Sequence, residues 1–182
     1  MSLFDEDETE LEYSSEYNRA RKRAMYLLGN RDYSSAALRE KLLNNYSSDT
    51  VSRVIEDMIS YGFLNDEEYA RKLASSLIRG KKYGFYRAKT EMKRKGVAEI
   101  IAEEALSEYA KEDYSEQLVS LIEKKYGDRI QDRDDRRRTV SALVRRGYGF
   151  SEIKEAVLIV LRRQADEENE EDDNDDEYED NN

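Results

Sequence analysis

Apolar residues in this chain recur three and four positions apart, with charged residues between them, and the recurrence breaks at short stretches containing Gly, Asn or Ser. That pattern predicts a series of amphipathic helices joined by short turns. From Tyr17, one face carries Ala20, Ala24, Leu27 and Leu28, and Gly29-Asn30 ends the helix. Ser34 is placed to cap a second helix with Leu38, Leu42 and Leu43 inward, ending near Tyr46. A third starts at Ser47-Ser48-Asp49 and buries Val51, Val54, Ile55, Met58 and Ile59 before Gly62 stops it. Asp66 is the expected N-cap of a helix over 66–82, on which Tyr69, Ala70, Leu73, Leu77 and Ile78 share a face. Phe85, Ala88 and Met92 mark the next, over 85–95, which closes at Gly96, where a left-handed residue is favoured. Further helices are expected over 97–110, 113–127, 134–146 and 151–164.

These helices fall into three triplets. Leu42, Met92 and Leu143 each precede a helix-ending residue by four positions, that residue being Tyr46, Gly96 and Gly147. Leu27, Leu77 and Ile122 lie upstream as matching anchors, and the longer third interval is taken up by the polar loop DRIQDRDD. The expected fold is therefore all-α, an elongated tandem array of three-helix repeats over 17–64, 65–111 and 112–164. Residues 1–16 and 165–182 have too little apolar surface to offset the entropy of ordering, and are expected to be a disordered acidic arm and tail.

The stretch from Tyr61 to Gly96 carries a resemblance. GFLNDEEYA, followed after a short basic linker by GFYRAKTEMKRKGV, resembles the RecX family of recombinase regulators. The matching positions are Gly62, Phe63, Leu64, Asn65, Asp66, Tyr69 and Ala70, then Gly84, Arg87, Glu91, Met92, Lys95 and Gly96. The family more often has Leu at the position of Met92 and Pro just after that of Gly84, departures that are conservative for packing. The likeness extends over roughly Arg19 to Arg163. It implies repeated three-helix architecture and a modulator of RecA that lies along the groove of the recombinase filament on DNA. Inhibition of strand exchange and ATP hydrolysis is what the resemblance leads one to expect.

Charge sharpens that expectation. The formal net charge is −11, but the acids are unevenly placed. Seven of the 42 lie in residues 1–16 and twelve in 165–182, ends that hold no Lys or Arg. The 23 acids between them face all 31 bases, so the middle of the chain is formally +8. A basic body with acidic ends points to a polyanionic or acidic partner, and to ends that can compete for the same surface.

The inventory of reactive groups excludes much. There is no cysteine for disulfide or thiolate chemistry, and no histidine for a Ser-His pair or for the commonest metal ligand. Gly80-Lys81-Lys82 lacks the upstream glycine of a phosphate loop. No enzyme activity, cofactor or metal is expected. No apolar run reaches the roughly 20 residues needed to cross a bilayer, and the acidic N-terminus is unlike a signal peptide, which predicts a cytoplasmic protein without a membrane partner. A monomer is expected.

Two basic clusters interleaved with aromatics are the candidate interaction surface. Arg79, Lys81, Lys82, Arg87, Lys93, Arg94 and Lys95 surround Tyr83, Phe85 and Tyr86; Arg136, Arg137, Arg145 and Arg146 lie near Tyr148 and Phe150. Such residues neutralise phosphates and stack on bases, or anchor on acidic protein loops. Phe85 and Tyr69, by helical register, are expected in the core. The assignment of the basic residues to a filament- or DNA-facing surface comes from charge, not from the family. The competing readings are a sequence-independent DNA-binding protein acting without recombinase, and a scaffold for another acidic partner.

Overall fold

The computed structural model describes the backbone of residues 3–109 and 111–179 and the side chains of 15–109 and 114–167. Among the described residues the chain is helical and contains no strand. The helices are α1 (Leu3–Asn30), α2 (Ser35–Leu43), α3 (Ser48–Ser60), α4 (Asp66–Ser75), α5 (Phe85–Arg94), α6 (Glu99–Ser107), α7 (Lys111–Tyr126), α8 (Arg133–Arg145) and α9 (Phe150–Glu179). A π-turn, Ser76–Gly80, extends α4, and a short 3₁₀ turn, Gly127–Arg129, follows α7. The acidic ends expected to be disordered are placed as backbone continuations of α1 and α9. Side chains before residue 15 and after 167 lie outside the described residues.

Two compact units are present, each assembled from separate lengths of chain: Met1–Ala74 with Thr90–Ala105, and Ser75–Lys89 with Leu106–Asn182. In the first, α1 and α2 pack on α3 around Ala20, Ala24, Leu38, Leu42, Val51, Val54, Ile55, Met58 and Leu64, all essentially withdrawn from solvent. Most of these positions were predicted by helical spacing alone; Leu43 and Ile59 instead face solvent. Helix ends here are satisfied by side chains from elsewhere in the fold. Ser34 caps α2 as expected, its hydroxyl accepting from the Ala37 amide at 3.1 Å and donating to the Lys95 carbonyl at 2.8 Å.

One expectation about capping needs revision. Asp66 does not cap its own helix. Asn65, one residue earlier, accepts from the Glu68 amide at 2.9 Å, which leaves the Asp66 carboxylate to reach α2, where it takes the Ser35 amide at 2.7 Å and the Ser35 hydroxyl at 2.5 Å. Glu16, assigned by sequence to the arm, is also anchored: its carboxylate accepts from the amide and hydroxyl of Ser47 and from the Thr50 hydroxyl. Ser47 makes no side-chain cap of its own on α3, so a residue 31 positions away supplies the acceptor. The Thr50 and Ser47 bonds hold the Glu16 carboxyl below its ordinary value. The stabilisation it brings is thus complete above the unfolded-state value and lost as pH falls through the lowered one.

In the second unit α7 and α9 lie against each other and α8 packs on α9. Leu118, Val119 and Ile122 of α7, Leu143 of α8 and Ile153, Ala156 and Val160 of α9 are buried, together with Ile130 from the intervening loop. Asp132 caps α8 by accepting from the amides of Asp134 and Asp135. α8 ends as the sequence predicts, at Gly147 with φ +88°, and the Tyr148 amide returns to the Leu143 carbonyl at 3.2 Å. The same closure ends α5 in the first unit, where Gly96 has φ +79° and the Val97 amide returns to Met92.

Candidate functional site

The basic connector between α4 and α5 is built from backbone outward. After the π-turn the chain cannot continue as helix, because Lys82 takes a left-handed conformation with φ +54°. Gly84 then passes so close to the end of α8 that any side chain there would collide: a Cβ would lie 2.1 Å from the Gly147 carbonyl oxygen. This approach lets the Gly84 amide donate to the Arg146 carbonyl at 2.8 Å and the Tyr86 amide to the Gly147 carbonyl at 3.2 Å. Buried backbone groups that the turn takes out of the helix are thereby satisfied.

Side chains complete the junction. Arg146 donates through Nη1 to the carbonyls of Lys81 and Lys82, at 3.1 and 3.3 Å. Tyr148, buried, donates its hydroxyl to the Lys82 carbonyl at 3.1 Å. Arg87 donates to the Arg145 carbonyl at 3.1 Å, with its guanidinium 4.1 Å from the centre of the Tyr83 ring. Phe85 stacks on Tyr114 with centroids 3.9 Å apart and rings 8° from parallel, and Tyr114 accepts from the Phe85 amide. Burial raises the pKa of both Tyr114 and Tyr148, so both phenols keep their protons across the neutral range.

Two sequence clusters, 79–87 and 145–146, thus become one basic surface in the second unit. Within it the cations divide by task. Arg146 and Arg87 are engaged with backbone carbonyls and hold the junction together. Arg79, Lys81, Lys82 and Arg145 are exposed and form no ion pair with another described residue. Tyr86 and Phe150 are also exposed, at 71% and 69%, where aromatic rings can meet a partner. Phe85, expected in the core, is half-buried by its stacking partner; Tyr69, in the first unit, is half-buried too.

The other candidates go elsewhere. Arg136 is turned inward to cap the preceding loop, its Nε 2.7 Å from the Ile130 carbonyl and Nη2 3.0 Å from that of Gln131. Arg137 is exposed and shares a shallow groove along α8 with Arg138 and Arg145. Lys93, Arg94 and Lys95 belong to the first unit. There Arg94 pairs with Glu91 at 2.7 Å, while Lys93 and Lys95 are exposed. Sequence reasoning missed Tyr109, Gln117 and Lys124, which line a cavity with Arg79 and Lys82; no spacing in the sequence links them to the connector.

Lys82 merits a test of its own. A left-handed conformation costs a non-glycine residue about 1–2 kcal/mol, partly recovered because lysine restricts the unfolded chain more than glycine does. Lys82→Gly is therefore expected to stabilise the protein by roughly 0.5–1 kcal/mol, read from the urea midpoint.

Among the described residues no cluster of carboxylates forms a metal site, and no helix is long and apolar enough to cross a membrane.

Comparison with known proteins places this geometry in a family. Residues 65–106 match the model of the second three-helix domain of RecX, and residues 112–157 match that of the third. The regulatory protein RecX of Prosthecochloris aestuarii is 34% identical over 145 residues, spanning 79% of this chain and 94% of the relative. That of Trichlorobacter lovleyi is also 34% identical, over 72% of this chain and 89% of the relative. The crystal structure of RecX from Lactobacillus salivarius superposes with a TM-score of 0.75 at 21% identity, covering 81% of this chain and 97% of the other. A second structure of a regulatory protein RecX gives 0.73 at 16% identity, over 85% and 77%. These structural likenesses bear on the fold.

Proposed function

This chain belongs to the RecX family of regulatory proteins, and from that premise we propose that it binds the filament a RecA recombinase forms on DNA and lowers its ATP hydrolysis and strand exchange. It acts in the cytoplasm, as a monomer, and as a regulator rather than a catalyst. The observation that carries the reading is the junction between the α4–α5 connector and the end of α8. It fixes exposed cations from segments some 60 residues apart in sequence on one surface, through backbone hydrogen bonds, so that little further ordering is required on binding. The residues proposed to face the filament are Arg79, Lys81, Lys82, Arg137 and Arg145, with Lys93 and Lys95 as a second patch. Arg87, Arg136, Arg146 and Arg94 contribute by shaping these surfaces. The three-helix domains, here proposed as 17–64, 65–111 and 112–164, let one chain touch several recombinase subunits, so that modest contacts add through effective concentration.

The test is ATP hydrolysis by the matching RecA on single-stranded DNA, titrated with this protein well below one copy per recombinase. A fall in the steady rate is expected, because one bound regulator affects many subunits of a filament. Simple competition for DNA needs far more protein. Firm binding to naked DNA with an unchanged rate would replace this reading with that of a DNA-binding protein acting without recombinase.

A further inference from the structure

The cavity beneath the connector, of about 450 Å³, lies wholly within the second unit; Arg79 and Lys82 stand both in its lining and on the basic surface. We propose that it binds a nucleotide, with the phosphate held by Arg79, Lys82 and Lys124 and the base lying among Tyr109, Tyr114 and Gln117. Its volume is that of a small-molecule site, and its lining combines apolar side chains (Ile78 and Leu121) with a few polar groups. Three cations face it against one acid, Glu116, whose carboxylate is drawn toward Arg163 at 3.3 Å. That excess favours an anionic ligand.

The aromatic and amide groups narrow the class. Arg79 holds its guanidinium 5.4 Å from the centre of the Tyr109 ring, a cation and a planar face side by side. Lys82 Nζ is steered by the Gln117 Oε1 at 3.4 Å. Gln117 Nε2 is buried beside the Tyr148 hydroxyl and makes no close hydrogen bond. A buried amide donor is costly unless an acceptor meets it, and the carbonyls and ring nitrogens of a nucleobase are such acceptors. The π-turn places Ile78 and Arg79 in the lining, an irregularity of the kind that recurs at functional sites. A planar ring bearing acceptors, joined to a phosphate, meets all of these groups together. Inorganic phosphate meets only the cations.

The ligand has two possible sources, a free nucleotide or one unit of a single strand, and the experiment separates them. Isotope-labelled full-length protein is titrated with deoxyadenosine 5′-monophosphate while backbone resonances are followed by NMR. Saturable shifts are expected at Arg79, Tyr109, Gln117 and Lys124. Lys124→Glu should weaken binding by about tenfold or more, the worth of one charge-assisted hydrogen bond. Deoxyadenosine without its phosphate should bind at least as weakly to the unaltered protein. An oligothymidylate that displaces the mononucleotide assigns the site to a single strand; one that does not assigns it to a free nucleotide. Absence of saturable shifts at these residues overturns the proposal, as does an equal response to inorganic phosphate alone. ATPase inhibition is measured on the same Lys124→Glu protein, so loss of nucleotide binding and loss of filament regulation are read as separate results.

Discussion

Gly147→Ala is expected to destabilise the second unit by about 3 kcal/mol or more, from three separate costs. The first is conformational: φ of +88° costs an alanine about 1–2 kcal/mol. The second is steric, because the new Cβ would lie 2.3 Å from the Arg87 amide nitrogen and 2.5 Å from the Arg87 Cβ. Neither atom is the far end of a flexible chain, so the connector must withdraw, at a cost of about 1–3 kcal/mol. The third is the loss of the bonds this approach permits, Gly84 to Arg146 and Tyr86 to Gly147, at about 0.5–1.5 kcal/mol each. Gly62→Ala is the control. Its φ is +75°, yet nothing lies within 4 Å of the added Cβ, so only the conformational cost of about 1–2 kcal/mol applies. Hydrogen exchange resolves the prediction locally: the amides of Gly84 and Tyr86 should exchange much faster in Gly147→Ala and be unaltered in Gly62→Ala. Equal urea midpoints for the two variants would mean that the close approach of the two backbones contributes nothing.

How much of this was legible in sequence follows from what helical periodicity encodes. Spacing reports which face of a helix is apolar, and it found Leu38, Leu42, Val54, Met58, Leu77, Met92, Leu143 and Ile153. Glycines at predicted helix ends were legible too, since Gly62, Gly96 and Gly147 all take the left-handed conformation that glycine tolerates best. Partners distant in sequence were not. Nothing in the neighbourhood of Asp66 says that its carboxylate serves Ser35, nor that Glu16 caps a helix beginning at Ser48. A charge count likewise weighs every cation equally. It could group the basic residues but not separate Lys81, exposed, from Arg146, spent on two carbonyls. The charge clusters were visible. Their convergence depends on Gly84 meeting Gly147, a contact across 63 positions that only the fold reveals.

The second large effect is functional. Reversing Lys81, Arg137 and Arg145 together to glutamate is expected to raise the amount of protein needed for half-inhibition of the RecA ATPase by about 30- to 100-fold. An exposed ion pair contributes about 0.2–1 kcal/mol, and reversal replaces attraction by repulsion of similar size, so three sites together change binding by about 2–3 kcal/mol. Stability should hardly move. All three heads are exposed and form no ion pair with another described residue, and the Arg145 group used by the fold is its backbone carbonyl, which the substitution leaves in place. None of the three lines the cavity assigned to the nucleotide. The matched comparison is Lys22→Glu with Lys41→Glu, both exposed in the first unit and outside the surfaces proposed above, which alters net charge by four rather than six. If inhibition depended only on overall charge, the weakening in the two variants would scale with that difference. A specific surface in the second unit predicts a far larger loss for the triple variant. Salt then identifies what the cations touch: contact with single-stranded phosphates lowers the slope of log K against log salt by about 0.7 for each contact removed. An acidic protein surface gives a shallower change. Inhibition by the triple variant at the same concentration as the unaltered protein would remove this surface from the mechanism.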